Sequence, residues 1–168
     1  DSVPMQRPGR TTRPDDAEAL GTGISRLTRS FHALEPDWVV VLGDRIEAFA
    51  AAAAANVGGW ALAHLHGGDR AEGVADESMR HAISKLAHLH LPATQASAER
   101  LIRMGEKPEH VHVVGSPAID DLAGVAPMDD DAFAELGRPR AVVLLHPTGR
   151  SHETEEHVTA NVLDALAA

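Results

Sequence analysis

The sequence predicts an α/β protein built on a doubly wound parallel sheet. Three observations carry that prediction. Short, wholly apolar runs such as Trp38-Val39-Val40-Val41-Leu42 recur along the chain, as expected of strands buried on both faces. Helical segments alternate with them, which favours parallel pairing through βα units. Glycine or a polar side chain follows each run on the same side, where open α/β sheets bind ligands.

Residues 1–14 hold three Pro and three Arg without periodicity and read as a loop or disordered lead-in. From Asp15, the residues Leu20, Ile24, Leu27, Phe31 and Leu34 recur at helical spacing. The strand Trp38–Leu42 follows, then Gly43-Asp44-Arg45 and a helix over 46–55. A second strand is expected over 60–65 and a helix from about Asp76 to His88. A strand over 89–93 and a helix from Ala96 to Met104 come next. The run 111–114 reads as a further strand, and Gly115-Ser116-Pro117 opens a short helix to Leu122. Residues 15–123 therefore read as one sheet domain. Residues 124–140, with Pro127, Asp129-Asp130-Asp131, Gly137 and Pro139, read as a linker holding a short helix capped by Asp129 or Asp130. A buried strand over 141–145 and an Ala-rich helix over 153–168 begin a second domain. One strand and one helix do not make a domain, so that second domain is expected to be partial.

Composition narrows the function. Of 168 residues, 15 are Lys or Arg and 25 are Asp or Glu, a formal charge of −10. Sequence-independent nucleic-acid binding needs a cationic face and is not expected. There is no Cys, which removes disulfides, thiolate metal sites and a Cys nucleophile. No apolar run is long enough to cross a bilayer, and none resembles a signal peptide, so a cytoplasmic protein without membrane contact is expected. Hydrophobic residues at 43% suffice for a core, but aromatics are only 3%, so Ala and Val must fill it.

The strand ends supply the candidate site: Gly43-Asp44-Arg45, His66-Gly67-Gly68-Asp69, Thr94, Gly115-Ser116 and His146-Pro147-Thr148. Asp44, at the mouth of an apolar sheet, is placed for acid/base work, with desolvation favouring its protonated form. It could equally cap the next helix. Asp76 and Glu77 open a helix, where acidic residues commonly serve the dipole. Asp76 and Arg80 are spaced for a surface ion pair, and Glu77 and His81 so that the carboxylate could orient the imidazole. The pairs His64/His66, His88/His90 and His110/His112 each put two imidazoles on one strand face. Without a fixed third ligand they do not make a metal site, and no metal or cofactor is expected.

Three segments carry a resemblance: LEPDWVVVLGDRIEAFAAAAAA, HLHGGDRAEGVADESMRHAISKLAHLHLPAT and EHVHVVGSPAIDDL. Together, from about Leu34 to Leu122, the chain resembles the UDP-N-acetylglucosamine 2-epimerases. It is most similar to the hydrolysing branch that supplies N-acetylmannosamine or a related sugar for sialic-acid-type synthesis. A weaker likeness continues through LLHPTG.

The resemblance implies a GT-B architecture, two Rossmann-like domains with a UDP-sugar substrate between them. Residues 15–123 would be the C-terminal part of the first and 141–168 the start of the second. It also implies proton removal at carbon 2, anti elimination of UDP to a glycal, and addition of water. Carried over, Asp44, Asp76 and Glu77 are catalytic carboxylates, and His146 is the catalytic group beside the diphosphate. Arg45, His64, His66, Gly67, Gly68, Arg80, His81 and Ser116 contact or support the substrate, and His88 and His90 match supporting histidines. Many relatives carry Glu at the position of His66 and others at that of Asp69, so the third carboxylate is unassigned. Relatives are about twice this length, so the chain is expected to hold an incomplete site. The alternatives are a non-hydrolysing epimerase, a non-catalytic remnant and a His-x-His metal hydrolase. A homo-oligomer is compatible with all of them.

Overall fold

In the computed structural model the described residues are 2–6, 8, 9, 12–70, 76–146 and 150–167. They form two compact units, 1–120 and 121–168.

The first unit is an α/β sheet domain. Helix α1 (Arg13–Leu34) starts two residues earlier than its periodicity suggests. Thr12 and Asp15 form a capping box there, each bonding the other's backbone N–H, with Pro14 beside it in the first turn. Strands β1 (Trp38–Leu42), β2 (Ala61–Leu65) and β3 (Leu89–Leu91) pair in parallel in the order β1-β2-β3. Helices α2 (Ile46–Gly58), α3 (Asp76–Leu86) and α4 (Gln95–Arg103) fill the crossovers.

In a parallel sheet, residues in register share a face. Val39 and Val41 therefore lie beside Leu62, His64 and His90. This face meets Ala52 and Ala55 of α2 and Ile83 of α3 to make the core, with Phe31 of α1 and Trp60 edge to face at its margin. Small side chains allow the close helix-sheet approach that a chain so poor in aromatics requires.

Two expectations need correction. β1 is not buried on both faces. Trp38, Val40 and Leu42 are 49%, 61% and 58% exposed, because the helices cover only the opposite face of this strand among the described residues. The run 111–114 is not a full strand either. It lies parallel to β3 through a bridge at Val111 and the bonds His112 N–H to His90 O and Val114 N–H to Pro92 O. Pro92 has no N–H to donate back, so the ladder is interrupted there.

The second unit holds α5 (Asp130–Glu135), capped by Asp129, and α6 (His152–Ala167). The strand expected over 141–145 does not form, and these residues are exposed. A lone apolar run has no neighbouring strand to satisfy its backbone within this unit, so its β-propensity alone does not make it a strand.

The face assignment has a direct test. Val41→Ala should lower unfolding free energy by about 2 kcal/mol, and Val40→Ala by under about 0.5 kcal/mol. Urea denaturation of the two variants should rank them so.

Candidate functional site

The site lies at the carboxyl edge of the sheet and is organised by Arg80 of α3. Its guanidinium is buried, with the side chain 10% exposed, and pairs with the Asp44 carboxylate through Nη2. Nη1 donates to the Asp69 carbonyl at 3.0 Å. One side chain thus ties the loop after β1 to the loop after β2. The surface pair Asp76–Arg80 suggested by helical spacing does not form, because Arg80 turns inward to a buried anion. Burial pulls the guanidinium below its ordinary pKa, but an Arg stays charged in proteins.

Asp44 is not a helix cap. The N-cap of α2 is Arg45, and no side-chain cap bond is made there. The cation against Asp44 also opposes the desolvation that the sequence suggested would favour its protonated form. A carboxylate facing a guanidinium is favoured as the anion, the form that accepts a proton.

Behind Asp44, His64 is fully buried. Its Nε2 lies 2.8 Å from the Gly43 carbonyl, which only accepts, so Nε2 carries the proton. Nδ1 of the neutral ring lies 3.1 Å from Ser84 Oγ, a hydroxyl that donates to the Arg80 carbonyl at 3.1 Å. Burial above all pushes this ring down from 6.5 to about 4, with the Gly43 bond pulling the other way. His64 therefore positions the Gly43-Asp44 turn from below.

Gly67 and Gly68 are buried and have packing reasons for being glycine. A Cβ on Gly67 would lie 2.9 Å from His64 Nδ1, and one on Gly68 would lie 2.3 Å from the Ser97 carbonyl. Gly68 also has φ +80°, and Arg100 of α4 donates to its carbonyl. Close packing on α3 and α4 is one reason for glycine at both positions.

The same loop holds a bonded chain. His66 Nδ1 is 3.1 Å from Asp69 Oδ2, and His66 Nε2 is 3.1 Å from Ser116 Oγ. Ser97 Oγ donates to Asp69 Oδ1 at 2.6 Å. Asp69 and Ser116 were visible in sequence only as separate strand ends. Ser97 and Arg100 were missed, and only the Thr94-x-x-Ser97 cap spacing hinted at Ser97.

Glu77 Oε1 lies 3.6 Å from His81 Nε2 and 3.8 Å from Arg70 Nε. Asp76 faces a cleft of about 330 Å³ lined also by Arg13, Asp16, Leu20, Ile46 and Met79. Arg45 is exposed, paired with Glu47, and borders a smaller cleft with Asp76 and Asp16. The start of α1 was not read from sequence as part of the site, since nothing local marks it.

His88 lies just before the amino end of β3, and His90 lies within that strand in register with His64. His88 Nδ1 accepts from the Leu62 N–H at the start of β2, and His90 Nε2 bonds Glu106. His146 belongs to the second unit and is exposed there, and Pro147 and Thr148 lie outside the described residues. Among the described residues, no three His, Asp or Glu side chains are grouped to hold a metal, and no helix is long and apolar enough to cross a membrane.

A parallel α/β domain with its polar groups gathered at the strand ends defines a Rossmann-like protein, and the solved structures it resembles are of the GT-B type. A crystal structure of a UDP-N-acetylglucosamine 2-epimerase aligns over 78% of this chain and 38% of its own, at TM-score 0.68 and 26% identity. The Neisseria meningitidis UDP-GlcNAc 2-epimerase bound to UDP-GlcNAc aligns over 71% and 32%, at TM-score 0.64 and 28% identity. The family model for UDP-N-acetylglucosamine 2-epimerase matches residues 9–168, and the chain belongs to that family. It is 47% identical over 117 residues to the hydrolyzing UDP-N,N'-diacetylbacillosamine 2-epimerase of Legionella pneumophila, covering 70% of this chain and 31% of that protein. It is 37% identical over 143 residues to the Neisseria meningitidis UDP-N-acetylglucosamine 2-epimerase, covering 83% and 37%. The chain thus spans about a third of the length of these relatives.

The buried histidine sets a pH dependence. Unfolded, His64 takes up a proton near pH 6.5, whereas folded it does so only near pH 4. Stability should be full above about 6.5 and decline by about 3 kcal/mol as pH falls to 4. Burial lowers His90 too, which acts in the same direction. Urea unfolding at several pH values should show this slope, and His64→Gln should make it shallower.

Proposed function

We propose that this chain carries the acid/base part of a hydrolysing UDP-N-acetylglucosamine 2-epimerase, which turns UDP-N-acetylglucosamine and water into an N-acetylmannosamine-type sugar and UDP. The observation that carries this reading is the buried Asp44–Arg80 pair at the carboxyl edge of a parallel sheet. Asp44 caps nothing, is held where ligands bind in such sheets, and is kept in the form that accepts a proton. Two relatives known as hydrolyzing 2-epimerases, at 47% and 37% identity, support the hydrolysing branch. The likeness to a polysialic acid biosynthesis protein of Escherichia coli, at 33% identity, supports the same use of the product.

In this reading Asp44 removes the proton on carbon 2 and UDP departs from the opposite face, leaving a glycal. Water then adds, its oxygen to carbon 1 and a proton to carbon 2. Arg80 aims the carboxylate, and the His64 bond to Gly43 holds the turn behind it. Asp76 and Glu77 border the sugar side, Arg45 meets the substrate's anionic diphosphate, and His146 stabilises that diphosphate as it departs. Relatives known simply as UDP-N-acetylglucosamine 2-epimerases, at 37% and 30% identity, favour a second reading, the non-hydrolysing epimerase. Product analysis separates the two: free sugar with UDP in the first, UDP-N-acetylmannosamine in the second. A cytoplasmic location suits either, since both use a nucleotide sugar.

Asp44→Asn keeps shape and one acceptor but cannot exchange a proton. In an enzyme carrying the whole site, UDP release should fall by about 10²–10⁴-fold, and the melting temperature should fall because the buried Arg80 loses its anion. UDP release close to wild type would reject Asp44 as the base.

A further inference from the structure

We infer that Asp69, His66 and Ser116 form a proton relay that serves the water-addition step, separate from the proton removal assigned to Asp44. The inference rests on the epimerase reading above.

The relay follows from donor and acceptor chemistry. Asp69 Oδ1 already accepts the Ser97 hydroxyl, and its Oδ2 lies 3.1 Å from His66 Nδ1. A carboxylate only accepts, so Nδ1 carries the proton. Nε2 of the neutral ring is then a bare acceptor, and the hydroxyl it meets, Ser116 Oγ at 3.1 Å, must donate to it. The remaining lone pairs of Ser116 are free to receive a proton from a water. The arrangement matches the order of groups by which a hydroxyl is activated through an oriented imidazole.

Its placement argues for use rather than support. His66 has φ +61°, an uncommon conformation for a non-glycine residue. The bond from its N–H to the Leu91 carbonyl at 3.1 Å holds the backbone there. Side chains 24% exposed for His66 and 31% for Asp69 leave the pair open to water. By contrast, His64 and His90 are sealed in the core. The guanidinium that binds the Asp44 carboxylate also binds the Asp69 carbonyl, so the two proton-handling groups share one support.

The step balances as follows. A water bonds to carbon 1 of the glycal through its oxygen and gives one proton to Ser116 Oγ, while the Ser116 proton passes to His66 Nε2. The Asp69 carboxylate stabilises the imidazolium. Carbon 2 takes its proton from solvent water on the face opposite Asp44, and Asp44, protonated in the elimination, releases its proton to solvent. His66 then returns its proton to solvent.

The test compares His66→Asn with wild type, each in an enzyme carrying the whole two-domain site, on UDP-N-acetylglucosamine, following UDP, the glycal and the free sugar. Asn adopts left-handed backbone readily and can still donate to Asp69, so the loop is kept while the Nε2 acceptor is lost. The ratio of glycal to free sugar should rise about 100-fold, and Ser116→Ala should raise it in the same direction. Parallel loss of UDP and sugar, or an unchanged ratio, would overturn the relay while the epimerase reading stands. No UDP release by wild type would instead sink the epimerase reading, and the hydration role with it. A ¹⁵N spectrum of the 168-residue chain reads the geometry whatever the turnover. Neutral His66 should be the Nδ1–H tautomer, and the Nε2–H tautomer in wild type would refute the relay.

Discussion

One buried cation holds the candidate site together. Arg80 leaves α3 and satisfies an anion after β1 and a carbonyl after β2. Two loops distant in sequence thereby share one rigid donor. A guanidinium suits this role because its donors are fixed in a plane and its charge survives burial. Without it, Asp44 would face a largely apolar surrounding as an unpaired charge, a costly arrangement. The pair therefore makes the carboxylate tolerable in the fold and favours its ionised form.

The histidines show how one residue type takes different work from its surroundings. His64 and His90 are in register on the covered face, where desolvation keeps them neutral. There they act as fixed donors, one to the Gly43 carbonyl and one to Glu106. His66, one loop further on, faces water and pairs with Asp69 and Ser116. Burial converts the first two into structural parts, while the third stays partly open to water.

The glycines of the second loop belong to the same economy of space. Gly67 allows the chain to pass over His64 and Ser84, and Gly68 allows it to meet α4. That approach places Asp69 beside Ser97 and turns His66 toward Ser116. A side chain at Gly68 would push the loop off α4 and pull the carboxylate from its partners, so close packing and site geometry are not independent here.

The order of strands and helices was legible in the sequence because it depends on local signals: apolar runs, helical periodicity, and Gly or Pro at the breaks. So was the side of the sheet on which Asp44, His66, Asp69 and Ser116 gather, since every βα loop of a parallel sheet opens the same way. Family membership was legible too, through ordered motifs from Leu34 to Leu122. Partnerships were not, because they join residues far apart in the chain. That Arg80 chooses Asp44 over Asp76, its neighbour one turn back, depends on where α3 crosses β1. That Val40 is open while Val41 is covered depends on which face the helices take. That residues 141–145 stay out of a strand depends on the absence of a neighbour within their unit. Local sequence sets what each segment can become, and tertiary packing decides which donor meets which acceptor, because hydrogen bonds and ion pairs act over a few ångströms of space rather than along the chain.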